Sequence, residues 1–145
     1  MRIIVTGSRT WRDRYTIWDA LNDELPSIMP VANGHGPDFI VMHGANPSGA
    51  DRFAADWVEY ICDYPGQIAQ KPYPVTSEEW MRIGRGAGPL RNQRMIDDGA
   101  DIVLAFVTRC VSPKCEGSKP HRSHGTADCI VRAHSAGIPV KEWVA

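Results

Sequence analysis

The sequence has no apolar run approaching the roughly 20 residues that a membrane-spanning helix needs. It has no excess of charge of either sign: 16 lysines and arginines stand against 17 aspartates and glutamates, a formal net charge of −1. That excludes a global basic field of the kind that draws in nucleic acid, and no local basic run replaces it. There are no internal repeats. The first residues, MRIIVTGSR, lack the apolar stretch of a secretory signal and predict a strand and a turn, so a cytoplasmic location is expected. Cysteine is scarce: Cys62, Cys110, Cys115 and Cys129. In a reducing compartment these are expected as thiols or metal ligands rather than disulfides.

What the sequence does hold is a regular alternation of short apolar runs and amphipathic segments. Its 145 residues suit one domain, 1–145, with a single core. Ile3-Ile4-Val5, Phe39 to Met42, Ile68 to Tyr73, Ile102 to Phe106 and Ile138-Pro139-Val140 predict five strands. Their near-continuous apolar character predicts a sheet covered on both faces. Between them, residues 14–25 set Ile17, Leu21 and Leu25 on one stripe, and residues 49–62 do the same with Phe53, Trp57 and Ile61. Residues 88–99 and 126–136 predict two further helices, the last closed by Gly137. Thr76-x-x-Glu79 resembles a capping box and predicts a short extra helix. The order predicts an α/β fold: a Rossmann-like, three-layer, doubly wound sheet of about five mainly parallel strands. Residues 107–124 are poor in apolar side chains and form one long loop.

In such folds the ligand occupies the crevice at the carboxyl ends of the strands. The segments to read are Thr6-Gly7-Ser8-Arg9, His43-Gly44-Ala45 through Gly49-Ala50-Asp51, Gly84 through Asn92, and His124-Gly125-Thr126. All carry glycine, which lets backbone N–H groups close on an anion at a helix N-terminus. Asp51 suits either a capping role with Ser48 or a ribose hydroxyl. Arg94 has the spacing to pair with Asp97 or Asp98 on a solvated face. Arg91 falls in the first turn after Gly88-Pro89, where the helix dipole disfavours a cation, and so predicts an anion facing it. His43 is expected as a hydrogen-bonded wall, Trp57 as core, and Trp80 as a side chain that could stack on a base.

GSR in the first turn, HGA…GAD in the second, G-x-x-x-x-RN-x-x-M in the third and GT in the fourth resemble the SLOG superfamily, within it the YspA (cpYpsA-related) group. The resemblance runs from Met1 to Gly137–Val140. It implies a pocket for a nucleotide or nucleotide-derived phosphorylated ligand, in a sensing, sequestering or processing role, and a homo-oligomer. On it Gly7, Ser8, Arg9, Gly44, Asp51, Arg91, Asn92, Gly125 and Thr126 line the site, with Arg9 and Arg91 on phosphate and Asp51 and Asn92 on sugar or base. LOG-type phosphoribohydrolases in the same superfamily carry an Arg-Lys pair and PGGxGTxxE, whose glutamate is catalytic. Here Arg91-Asn92 and Gly125-Thr126 match in part, no PGG precedes the GT, and the glutamate position holds Cys129. A thiol does not replace a carboxylate in that chemistry. Hydrolysis of an N-glycosidic or phosphoester bond, using Asp51 or Asp128, is the first alternative to binding. Single-stranded DNA binding, as in the DprA proteins, is the second, and the balanced charge speaks against nucleic acid.

Within the long loop, Cys110, Cys115, His121 and His124 fall as C-x4-C-x5-H-x2-H. Four such ligands could enclose a structural zinc that pins the loop beside the pocket. The other expectation is a mobile lid with incidental thiols, His124 facing the pocket.

Overall fold

The computed structural model describes residues 1–61 and 63–145. Cys62, expected as a thiol or metal ligand at the end of the second helix, lies outside the described residues. The chain runs β1 (Arg2–Gly7), α1 (Arg14–Glu24), β2 (Phe39–His43), α2 (Ala50–Tyr60), β3 (Ile68–Pro72), α3 (Ser77–Ile83), α4 (Ala87–Asp98), β4 (Ile102–Val107), α5 (His124–Ser135) and β5 (Val140–Val144). All five strands are parallel, in the order β3-β2-β1-β4-β5. β1 and β4 are central, and the strand order reverses beside β1, the place where open α/β sheets bind ligands.

Alternation along the central strands builds the two faces. Ile3, Val5, Ile102, Leu104 and Phe106 point to one side and pack with Ile17, Leu21, Ala54 and Trp57 of α1 and α2. Ile4, Met42 and Val103 point to the other and meet Met95, Ile96, Cys129 and Ala133 of α4 and α5. This is the expected three-layer, doubly wound arrangement. Both faces are covered because a parallel sheet carries its crossover helices on them.

Local signals fix most element ends. The Thr76 hydroxyl accepts from the Glu79 N–H at 3.1 Å and starts α3. At the far end of α5, Gly137 adopts φ +73 and donates to the His134 carbonyl, while Ile138 donates to that of Ala133. That pair is a Schellman motif.

Three expectations need correction. The last strand begins after Pro139, which has no N–H to donate, and runs through polar Lys141 and Glu142 to Val144, an edge strand that gains less from apolar side chains. Arg94 pairs with Glu79 of α3 at 3.1 Å rather than with Asp97 or Asp98. α4 starts at Ala87, so Arg91 stands in its second turn, where the dipole acts weakly. No described helix is long and apolar enough to cross a membrane.

Phe106 is fully buried between Trp143, stacked at 4.9 Å, and Trp11, edge-on at 5.3 Å. Phe106→Ala is expected to cost about 3–5 kcal/mol in urea denaturation. A loss below about 1 kcal/mol would contradict this packing.

Candidate functional site

The loops after β1, β2, β3 and β4 converge at the carboxyl edge of the sheet. The Ser8 carbonyl accepts from both Trp11 N and Ala50 N at 3.2 Å, so it joins the first turn to the start of α2. Gly49, the residue capping α2, has φ +73, and a Cβ there would sit 2.2 Å from that same oxygen. Only glycine meets both demands. The Ser8 hydroxyl is occupied locally, accepting from Thr10 N at 3.1 Å. The Arg9 guanidinium is exposed and has no hydrogen-bond or ion-pair partner among the described residues.

Arg91 is the opposite case. Its Nη1 donates to the Gly44 carbonyl at 2.5 Å and the Tyr73 carbonyl at 3.2 Å, and its Nε donates to Asn92 Oδ1 at 3.0 Å. A Cβ on Gly44 would lie 2.2 Å from Nη1, so the second loop is glycine where the arginine crosses it. Among the described residues, no carboxylate lies within ion-pair distance of Arg91. Burial pulls its pKa down; Asp51 opposes that, while nearby Arg9 adds to it.

Asp51 is only 4% exposed, and its Oδ2 accepts from Asn46 N at 3.2 Å and Asn46 Nδ2 at 2.8 Å. It does not cap α2 with Ser48: Gly49 is the cap residue and no side chain bonds there. Burial pushes the carboxyl up, and the Asn46 donors and the neighbouring His43 and Arg91 only partly offset it. The loop between them contains Ala45 at φ +59, the one left-handed residue other than glycine among those described. Such strain costs about 1–2 kcal/mol and collects at functional loops.

Asn92 is buried with its amide fully used. Besides receiving Arg91 on Oδ1, it donates to the Gly125 carbonyl at 3.2 Å and to Asp128 Oδ2 at 2.9 Å. Asn92 thus orients Arg91 and joins the fourth loop, and has no amide hydrogen left for sugar or base. Asp128 lies behind it, also bound by Arg132 Nε at 2.9 Å, and does not line the cavity. Cys129, at the position of the LOG glutamate, is fully buried against the sheet, and burial pushes its thiol to about 11. It is an inert core side chain. His43 is buried too, Nδ1 accepting from Ala45 N at 3.1 Å and Nε2 paired with Gln70 Oε1 at 2.8 Å; both ring nitrogens are engaged, and it lies behind the lining of the cavity rather than in its wall.

At α5, Ser123 donates to the Thr126 hydroxyl at 3.0 Å, and the first-turn N–H groups have no partner within the helix. The result is one cavity of about 620 Å³. Gly7, Ser8, Arg9, Gly44, Asp51, Arg91, Asn92, Gly125 and Thr126 all line it. Asp51 is its one acidic side chain among the described residues. Sequence reasoning missed Asn46, which lines the cavity and holds Asp51; its place five residues before that acid in a turn-rich loop was the available signal.

The long loop carries backbone bonds of its own. Arg109 and Arg122 form an antiparallel bridge, Cys110 N donates to the His121 carbonyl at 2.7 Å, and Pro113–Cys115 make a 3₁₀ turn. These bonds bring one donor atom each from Cys110, Cys115, His121 and His124 within 4.8 Å of one another. His124 Nε2 stands 3.8 Å from Cys110 Sγ, 3.6 Å from Cys115 Sγ and 3.0 Å from His121 Nε2. His121 Nδ1 meets the Lys119 carbonyl at 2.8 Å, which fixes the tautomer and leaves the Nε2 lone pair facing the group. This cluster could hold a metal ion. Cys110 and His124 also line the cavity, so the cluster is part of its wall.

The raised Asp51 carboxyl has a thermodynamic consequence. With its folded-state pKa above the ordinary 3.8, the native state holds the proton more tightly than the unfolded chain, and stability falls as pH climbs through that window. Asp51→Asn is expected to melt higher than wild type at about pH 8, with the gap closing towards about pH 4. A variant that melts no higher at the alkaline end would contradict the burial argument.

A family model described as the YspA, cpYpsA-related SLOG family matches residues 1–59, the span that carries the first two loops. The Gene 61 protein of Mycobacterium phage D29 is 38% identical over 143 residues, covering 96% of this chain and 93% of that protein. No solved structure gives a significant match. The chain belongs to the YspA, cpYpsA-related SLOG family, whose model its first 59 residues match.

Proposed function

We propose that the cavity binds a phosphorylated nucleoside, its phosphate held between Arg9 and Arg91. The observation that carries this is two guanidinium groups with no carboxylate at ion-pair distance among the described residues, close enough to repel, lining one cavity. An anion offsets both charges at once, and charge-assisted bonds to phosphate are the strongest such groups make. Gly125 and Thr126, at the start of α5, add backbone N–H groups of the right polarity. Asp51 supplies an acceptor for a ribose hydroxyl. Membership of a SLOG family supports a nucleotide-related ligand.

Arg9 is the clean probe, because Arg91 also braces two loops through backbone carbonyls. In calorimetric titration, nucleotides are expected to bind and the matching unphosphorylated nucleosides to bind far more weakly. Arg9→Ala should lower nucleotide affinity about tenfold to a hundredfold with an unchanged melting temperature. Unchanged affinity would contradict the phosphate assignment. Turnover of the nucleotide that Asp51→Asn abolishes would move the reading to hydrolysis, since Asp51 is the carboxylate in reach.

The loop cluster is favoured as a structural zinc site. Bonds of about 2.3 Å to sulfur and about 2.0 Å to nitrogen at a tetrahedral centre put S···N near about 3.6 Å and N···N near about 3.3 Å. The corresponding separations here are 3.8, 3.6 and 3.0 Å. Four protein ligands close the coordination shell, so the metal would order the loop and take no part in chemistry. Protein purified without chelator is expected to carry one zinc per chain, and stripping it should lower both the melting temperature and nucleotide affinity. Metal-free protein with the same melting temperature after added zinc would contradict this.

A further inference from the structure

The tryptophans divide sharply. Trp11 and Trp143 contact Phe106, Trp18 contacts Tyr60, and Trp57 contacts Phe39. Trp80 alone has no ring partner among the described residues, and it is 57% exposed. An indole left this open costs solvation and contributes nothing to the core, so its position carries the information. Trp80 stands on α3, directly after the loop that follows β3. It lines the cavity described above and also a second hollow of about 430 Å³ that continues from it. The two share Arg9, Gly44, Asn46, Gly88 and Arg91, so the hollow begins where the phosphate would end. Its remaining wall is apolar at Pro47, Pro74, Val75 and Met81, with the Thr76 and Ser77 hydroxyls at the edge.

We propose that this hollow is the base subsite of the nucleotide, and that Trp80 is the specificity-determining residue, stacking its indole on the base. The inference rests on the phosphate reading of the neighbouring cavity. A flat heteroaromatic ring suits an indole face bordered by prolines and valine, and Asn46, Thr76 and Ser77 can meet its polar edge. Stacking tolerates any base, since each presents a π-face, so Trp80 sets the preference for a nucleotide over a bare sugar phosphate.

The test uses wild type, Trp80→Ala and Trp80→Phe, each titrated with adenosine 5′-monophosphate, uridine 5′-monophosphate and ribose 5-phosphate. Trp80→Ala is expected to weaken both nucleotides about five- to a hundredfold and leave ribose 5-phosphate unchanged, and Trp80→Phe to retain most of the nucleotide affinity. Trp80 is exposed, and an unshifted melting temperature in each variant checks that the fold is intact. Nucleotide affinity indifferent to Trp80→Ala, or an equal loss for all three ligands, would overturn the base subsite alone. Failure of wild type to bind any of the three would overturn the phosphate reading and this inference with it.

Discussion

The site depends on one guanidinium. Arg91 reaches from α4 across the carboxyl edge of the sheet and bonds the carbonyls of Gly44 and Tyr73, after β2 and β3. Through Asn92 it also reaches Gly125, after β4. Three loops that the chain delivers separately are thereby fixed to one rigid planar group. The fourth, after β1, is fixed by the Ser8 carbonyl, which takes the N–H at the head of α2. Each junction demands glycine opposite it, at Gly44 and Gly49, because a methyl group would occupy the same space. The glycines of these loops therefore serve side-chain and backbone approach as much as any ligand.

This construction costs stability. A buried carboxyl at Asp51, a partly buried arginine at Arg91 and a left-handed alanine at Ala45 lie within one small region. None of them helps the core, and Asp51 and Arg91 are not paired at ion-pair distance. Strain and buried charge held in place by a well-packed sheet are what a preorganised binding cavity requires. The packing beneath, from Ile3 and Val5 to Phe106, is what can carry that cost.

Much of the fold was legible in the sequence because parallel strands buried on both faces are written as continuous apolar runs. β1, β2 and β4 follow that rule, and nine of the residues that line the cavity lie in the segments that follow the first four strands. β5 was displaced because an edge strand tolerates Lys141 and Glu142, and the apolar signal ended at Val140. Arg94 was paired locally because i,i+4 spacing is visible in sequence, whereas its partner Glu79 comes from another helix. The role of Asn92 was hidden for the same reason: its bonds to Gly125 and Asp128 span more than thirty residues. The cysteine–histidine spacing was visible, but the bridge between Arg109 and Arg122 that gathers those ligands was not.

The central claim is that one anion sits between Arg9 and Arg91. A crystal structure grown with a saturating nucleoside 5′-monophosphate tests it most directly. The account predicts the phosphate in contact with both guanidiniums and with the first turn of α5. A nucleotide bound elsewhere on the surface, or a cavity left empty of phosphate at saturation, would contradict it.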